Sequence, residues 1–275
     1  MGRLQNTINL AKQSWEVLKA DKELVALPIL SFLASTLVAV TFIIPMFFVG
    51  EEPGLIGYVV LFLMYVALAF VTIFFNTALV SAADERLQGG DPTIGSALAG
   101  ASRLVGRILP WAIISATVSI ILRSIEQRGG ILGRIAAGIA GLAWTLVTFL
   151  VLPIFVVEGL TVGNAVKRSA DLFKRTWGEN VAAQFGFGIL GFLLALPAVL
   201  VIVLGAITGN GVALGVTVLI GALWIVAVSV VLAALNAIFQ TALYHYAADG
   251  QALGPFGPGA LTTAFRPKAS KGLGL

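Results

Sequence analysis

Six uncharged apolar stretches dominate the chain: residues 24–49, 55–83, 108–122, 135–157, 181–207 and 212–247. Five are long enough to cross a hydrocarbon core as helices. The third has only 15 uncharged residues, below the usual minimum of about 17. Arg107 and Arg123 flank it, and their long side chains can snorkel to extend it. We read it as a span on parity as well. Without it, the basic 158–180 segment would face away from the N-terminus.

Polar segments of helical period precede the first, third and fifth spans. In 3–22, Leu4, Ile8, Ala11, Trp15 and Leu18 form one stripe, with Lys12, Glu16 and Lys19 outside it. In the second, Thr93 suits a cap, and Ile94, Ala97, Ala101, Leu104 and Ile108 form the stripe. The third carries Lys167, Arg168, Lys174, Arg175 and Trp177. These segments are related. Thr93-Ile-Gly-Ser-Ala-Leu matches Thr161-Val-Gly-Asn-Ala-Val, and Lys12-x-Ser14 with Lys19 echoes Lys167-x-Ser169 with Lys174. Phe75-Asn76-Thr77-Ala78-Leu79 likewise resembles Phe239-Gln240-Thr241-Ala242-Leu243. The expected architecture is all-α: a polytopic transmembrane bundle of six spans with cytoplasmic amphipathic interfacial helices. It forms three parallel pseudo-repeats of interfacial helix plus hairpin, at about 3–83, 93–157 and 161–248. These make one membrane domain, 1–248, and the Gly- and Pro-containing 249–275 reads as a loosely ordered cytoplasmic tail.

Charge fixes the orientation. Of the 17 Lys and Arg residues, only Arg123, Arg128 and Arg134 fall outside if the N-terminus is inside. That bias puts both termini in the cytoplasm of a multi-pass cell-membrane protein. Composition agrees: 59% of residues are hydrophobic and 11% charged, far from the balance of soluble domains. The net charge of +4 does not imply nucleic acid, because the cations lie between apolar runs and no basic stripe is interleaved with aromatics. A cleavable signal peptide is not expected, since the first apolar run is too long and lacks a clear cleavage site.

Several short motifs together resemble a prokaryotic family of six-span membrane proteins of unknown function. They are Ser14-Trp15 with Asp21-Lys22-Glu23-Leu24, Phe74-Phe75-Asn76, Asp91-Pro92-Thr93, Lys167-Arg168-Ser169 with Thr176-Trp177-Gly178-Glu179, and Ala264-Phe265-Arg266-Pro267-Lys268. The resemblance covers essentially the whole chain and implies an architecture without any site residues. More distantly, the helix-plus-hairpin units look like membrane domains attached to glycerophosphodiester phosphodiesterases. The soluble catalytic domain does not follow here, so that activity is not implied.

Chemistry-bearing constellations are sparse. There is no cysteine and His245 is the only histidine, so thiol catalysis and a HExxH zinc site are excluded. No metal site, cofactor or catalytic residue is expected. His245, between Tyr244 and Tyr246, reads as part of an interfacial aromatic girdle. Gly133, Ala137 and Gly141 place small residues on one face, which suits close helix packing. The intramembrane polar set is Asn76, Gln184, Asn236 and Gln240, either bonding helices together or lining a route. Lys12, Trp15, Lys19, Lys167, Arg168, Lys174, Arg175 and Trp177 are the candidates for lipid headgroups. The expectation is a non-enzymatic membrane protein, membrane-organising or accessory at the inner leaflet. The alternative is a transporter or channel for an uncharged or lipidic molecule. Membrane lipids are the expected partners, with a membrane protein or a second copy beside them.

Overall fold

The computed structural model describes residues 3–21, 23–46, 54–177 and 186–256. Ten helices follow in order among them: α1 (Arg3–Ala20), α2 (Glu23–Met46), α3 (Leu55–Leu87), α4 (Ile94–Arg103), α5 (Val105–Arg128), α6 (Gly130–Thr148), α7 (Val151–Val157), α8 (Val162–Trp177), α9 (Gly186–Ile207) and α10 (Gly211–Asp249). Five stretches are long and apolar enough to cross a membrane: α2, α3, α5, α10 and the α6–α7 pair. The apolar run of α9, Gly191–Ile207, is shorter, and residues 181–185 of the expected fifth span lie outside the described part. The expected third span is a single helix of 24 residues, so its polar flanks are helical too.

Burial is concentrated at one end. There α3, α7 and α10 pack on one another, and Leu79, Leu150, Ile154, Ile238 and Leu243 are essentially inaccessible. Toward the other end the long helices leave large apolar side chains bare, such as Leu37, Leu200 and Leu223 at 69%, 63% and 62% exposure. Water would penalise such a surface, whereas lipid matches it.

The three short one-sided helices sit at the buried end. α4 packs on α3 and α2, α8 on α6 and α7, and α1 on α10 and α9. The buried face of α8 is Ala165, Ser169, Leu172 and Phe173, with Lys167, Lys174 and Arg175 outside. In α1 the buried face is Leu10, Ser14, Val17 and Leu18, whereas Trp15 is 40% exposed. The stripe read through Trp15 is therefore rotated: small Ser14 is fully buried and the bulky indole beside it is half-exposed. Thr93 caps α4 by accepting from the Ser96 N–H, and Ser96 reciprocates. α4 ends at Arg103, and its stripe continues into α5, where Ile108 is fully buried.

Small residues set the closest approaches between helices. Gly133 and Ala137 are buried toward α5, with the Ile125 carbonyl against Gly133. Gly205 lets Thr217 close the α9–α10 hairpin. Gly250, left-handed at φ 69°, ends α10. The chain after it returns to the bundle: Leu253 packs on the core and Phe256 is 1% exposed. Residues 257–275 lie outside the described part.

Candidate functional site

The polar residues of the bundle gather at its buried end, and the first cause is Pro153. A proline has no N–H and crowds the carbonyl four residues earlier, so the apolar run that would have been one helix divides into α6 and α7. The carbonyl four residues before Pro153 is that of Phe149. Gln240 of α10 donates its amide to that oxygen. On the other side of the break, the Leu150 N–H donates to Ser169 Oγ of α8 at 3.1 Å. Two side chains from two other helices thus complete the interrupted backbone, as buried polar groups require.

A second cluster closes the far end of α7. Glu158 accepts from Arg168 Nε at 2.9 Å and from the Tyr244 hydroxyl at 2.9 Å. One residue further along α10, His245 Nε2 lies 2.6 Å from Asp84 Oδ1 at the end of α3, and Nδ1 is 3.6 Å from Asp249 Oδ2. Tyr244 and His245 are 2% and 6% exposed. The pair is therefore a buried tie between α10 and the ends of α3 and α7. This replaces the girdle reading, because a girdle presents its rings to the interface.

A third group lies where α1 gives way to α2. Glu23 Oε2 accepts the Ile94 N–H at 2.8 Å, placing a carboxylate on the start of α4. Asp21 Oδ1 accepts the Glu23 N–H at 3.1 Å, while its buried Oδ2 has no hydrogen-bond partner. Burial pushes the Asp21 carboxyl above its usual range, against the opposing pull of the Glu23 N–H and Arg86. A shallow crevice too narrow for a water molecule lies among Asp21, Glu23, Leu24, Leu27, Pro92 and Thr93.

The expected polar set is divided by this geometry. Gln240 is half-buried and committed to the helix break, and Asn76 is half-buried on α3. Asn236 is exposed, and Gln184 lies outside the described residues. Among the expected headgroup residues, Lys12, Lys19, Lys167, Lys174 and Arg175 are exposed, and Lys19 Nζ stands 5.8 Å over the Trp15 ring. Arg168 is instead engaged by Glu158. Trp177 is the last residue of α8. Sequence reasoning missed Asp84, Glu158, Tyr244 and His245 as one connected end; their shared signal was a polar residue in the last turns of long apolar runs.

No group of three or more His, Cys, Asp or Glu side chains suited to a metal occurs among the described residues. Long apolar helices with bare flanks, joined at one hydrogen-bonded end, define an all-α, multi-pass, membrane-embedded protein. The chain belongs to the family of unknown function DUF6159, whose model matches residues 55–254, from the first residue of α3 past the end of α10. No curated protein and no solved structure matches it.

Proposed function

We propose that the protein is a non-enzymatic, six-span component of the cell membrane that organises lipids or supports other proteins at the inner leaflet. Both termini are cytoplasmic in this reading, and α1, α4 and α8 lie at the inner face. The observation that carries it is the two-sidedness of α1 and α8. Each buries one face in the core and turns lysines outward, with half-exposed Trp15 beside Lys19. Each exposed cation near an anionic surface contributes about 1 kcal/mol.

Three pseudo-repeats fit the same picture. Leu10, Ala97 and Ala165 hold matching positions and are all buried, as are Ser14, Ala101 and Ser169. Each short helix rests on the hairpin of the unit before it, and α1 rests on the last hairpin. That pattern is cyclic, as expected of parallel units around an axis normal to the membrane.

The test is lipid selectivity of the full-length chain in mixed phosphatidylcholine and phosphatidylglycerol bilayers, read with spin-labelled lipids. Preference for phosphatidylglycerol should fall in Lys12→Gln/Lys19→Gln/Lys167→Gln/Lys174→Gln. A wild-type chain without preference would refute the reading. The rival, a transporter or channel for an uncharged or lipidic molecule, is favoured by one feature, the interrupted α6–α7 helix, since such breaks recur at transport sites. Solute flux into vesicles that Gln240→Leu abolishes, with folded protein retained, would establish it instead. A partner protein or a second copy would then add to either role.

A further inference from the structure

The short helices are fastened unequally. Ser14 of α1 and Ser169 of α8 hold matching positions, and both are fully buried. Ser169 Oγ accepts the Leu150 N–H, and α4 is held by the Glu23 carboxylate on the Ile94 N–H. On α1 the corresponding atoms are idle. Among the described residues, the buried side-chain polar atoms without a hydrogen bond are Gln13 Oε1, Ser14 Oγ and Asp21 Oδ2. All three belong to α1 or the residue that follows it. The Asp21 N–H still bonds the Val17 carbonyl, so Asp21 extends the side of α1 that carries Ser14.

The polar atoms decide how firmly α1 sits. Leu10, Val17 and Leu18 are buried where α1 packs on α9 and α10, but the hydrocarbon beneath a bilayer surface would cover them equally well. Each idle polar atom gives up hydration in the seat and gains nothing there. Asp21 has the most at stake, because it can carry a charge. It is 6% exposed, and the crevice beside it admits no water. The charged groups facing it are Glu23 of α2, Arg86 of α3 and Asp91 of the α3–α4 turn, beside the uncharged Ala82, Thr93 and Ile94. Arg86 is itself engaged by the Gly90 carbonyl and lies 3.8 Å from Asp91. Burial outweighs its pull and favours the neutral acid. Residues 21 and 22 alone join α1 to α2, so this carboxyl stands at the hinge of the helix.

We propose that α1 is a detachable strap controlled by Asp21: it stays seated on α9 and α10 while the carboxyl is neutral, and ionisation releases it onto an anionic bilayer surface. Lys12, Lys19 and half-exposed Trp15 equip it for that surface. The destination rests on the inner-leaflet reading above; the release does not.

The chain has no cysteine, so spin labels at exposed Glu16→Cys and Ser102→Cys report the α1–α4 distance by pulsed electron paramagnetic resonance. The full-length chain is measured in phosphatidylcholine vesicles with and without phosphatidylglycerol. One seated distance should dominate below pH 3.8, the ordinary value of the carboxyl. A second, broader population should grow as pH rises above it, by at most about tenfold per pH unit for one proton. Asp21→Asn should stay seated throughout. Ser14→Ala should seat α1 more firmly at every pH yet keep the response. Phosphatidylglycerol should enlarge the released share of the wild type. A single distance unchanged to pH 7, or the same response in Asp21→Asn, overturns the strap. Equal released shares in the two vesicles overturn the anionic surface as its destination. The pH response fails alone if Asp21 is not the control, and the lipid difference fails alone if the inner-leaflet reading is wrong.

Discussion

The Gln240–Phe149 contact makes a prediction with its own internal control. Gln240→Leu keeps the volume of the side chain but removes the donor to a carbonyl that Pro153 has stripped of its helical partner. Cross-helix bonds in membrane proteins average about 0.6 kcal/mol and reach about 1.7. A buried acceptor left without a donor costs about 1–3 kcal/mol. Removal of this one cross-helix bond is therefore expected to cost about 1 kcal/mol, within the range of such bonds. Pro153→Ala changes the accounting. It restores an N–H at 153 within reach of the Phe149 carbonyl, so Gln240→Leu should then cost little. The double-mutant cycle over Gln240 and Pro153 should give a coupling of about 1 kcal/mol, above the roughly 0.3–0.5 expected of independent sites. Unfolding of the purified full-length chain in mixed micelles, followed by circular dichroism, supplies the four stabilities. Equal costs of Gln240→Leu in both backgrounds would show that the amide does not serve the break.

Three further outcomes are expected. Ser169→Ala should destabilise by about 1–2 kcal/mol because it strands the Leu150 N–H, whereas Ser14→Ala, whose buried hydroxyl has no partner, should be neutral or stabilising in the same assay. Asp21→Asn should raise stability at neutral pH. Burial holds the native carboxyl above 3.8, so the folded state binds the extra proton and its stability falls as pH rises through that window. The asparagine still accepts from Glu23, so unfolding against pH should show a shallower slope for the variant, and an unchanged slope would assign the titration elsewhere. Reporter fusions after residues 90, 170 and 275 should all read cytoplasmic and those near 52, 129 and 210 the opposite side; an opposite reading at 170 removes the third span from the crossing set.

The hairpin order was legible because an uncharged run is a local property. Each apolar stretch announces its own environment, and α2, α3, α5 and α10 fall within a few residues of where the charges stop. The division of the fourth stretch was not legible. A proline inside an apolar run is compatible with a kink, a break or a straight helix. Which one forms depends on donors such as Gln240, 91 residues away. His245 was misread for the same reason, since its carboxylate partner lies 161 residues earlier. In α1 the error was one of size. Ser14 is buried while Trp15 is 40% exposed, and a small hydroxyl side chain carries no hydrophobic signal to mark the buried face. Of the expected cations, Lys12, Lys19, Lys167, Lys174 and Arg175 are exposed, whereas Arg168 is held by Glu158, ten residues earlier.

The seat of α1 has a consequence for how the chain is made. Its buried face of Leu10, Val17 and Leu18 rests on α10 and α9, so α1 finds its place against helices that are synthesised long after it. The other two short helices meet theirs at once, since α4 and α8 each follow the hairpin they cover. Assembly therefore includes one closure between segments far apart in sequence, α1 and the α9–α10 pair. Until then an amphipathic N-terminal helix waits with its apolar side uncovered, where the membrane surface is the nearest shelter.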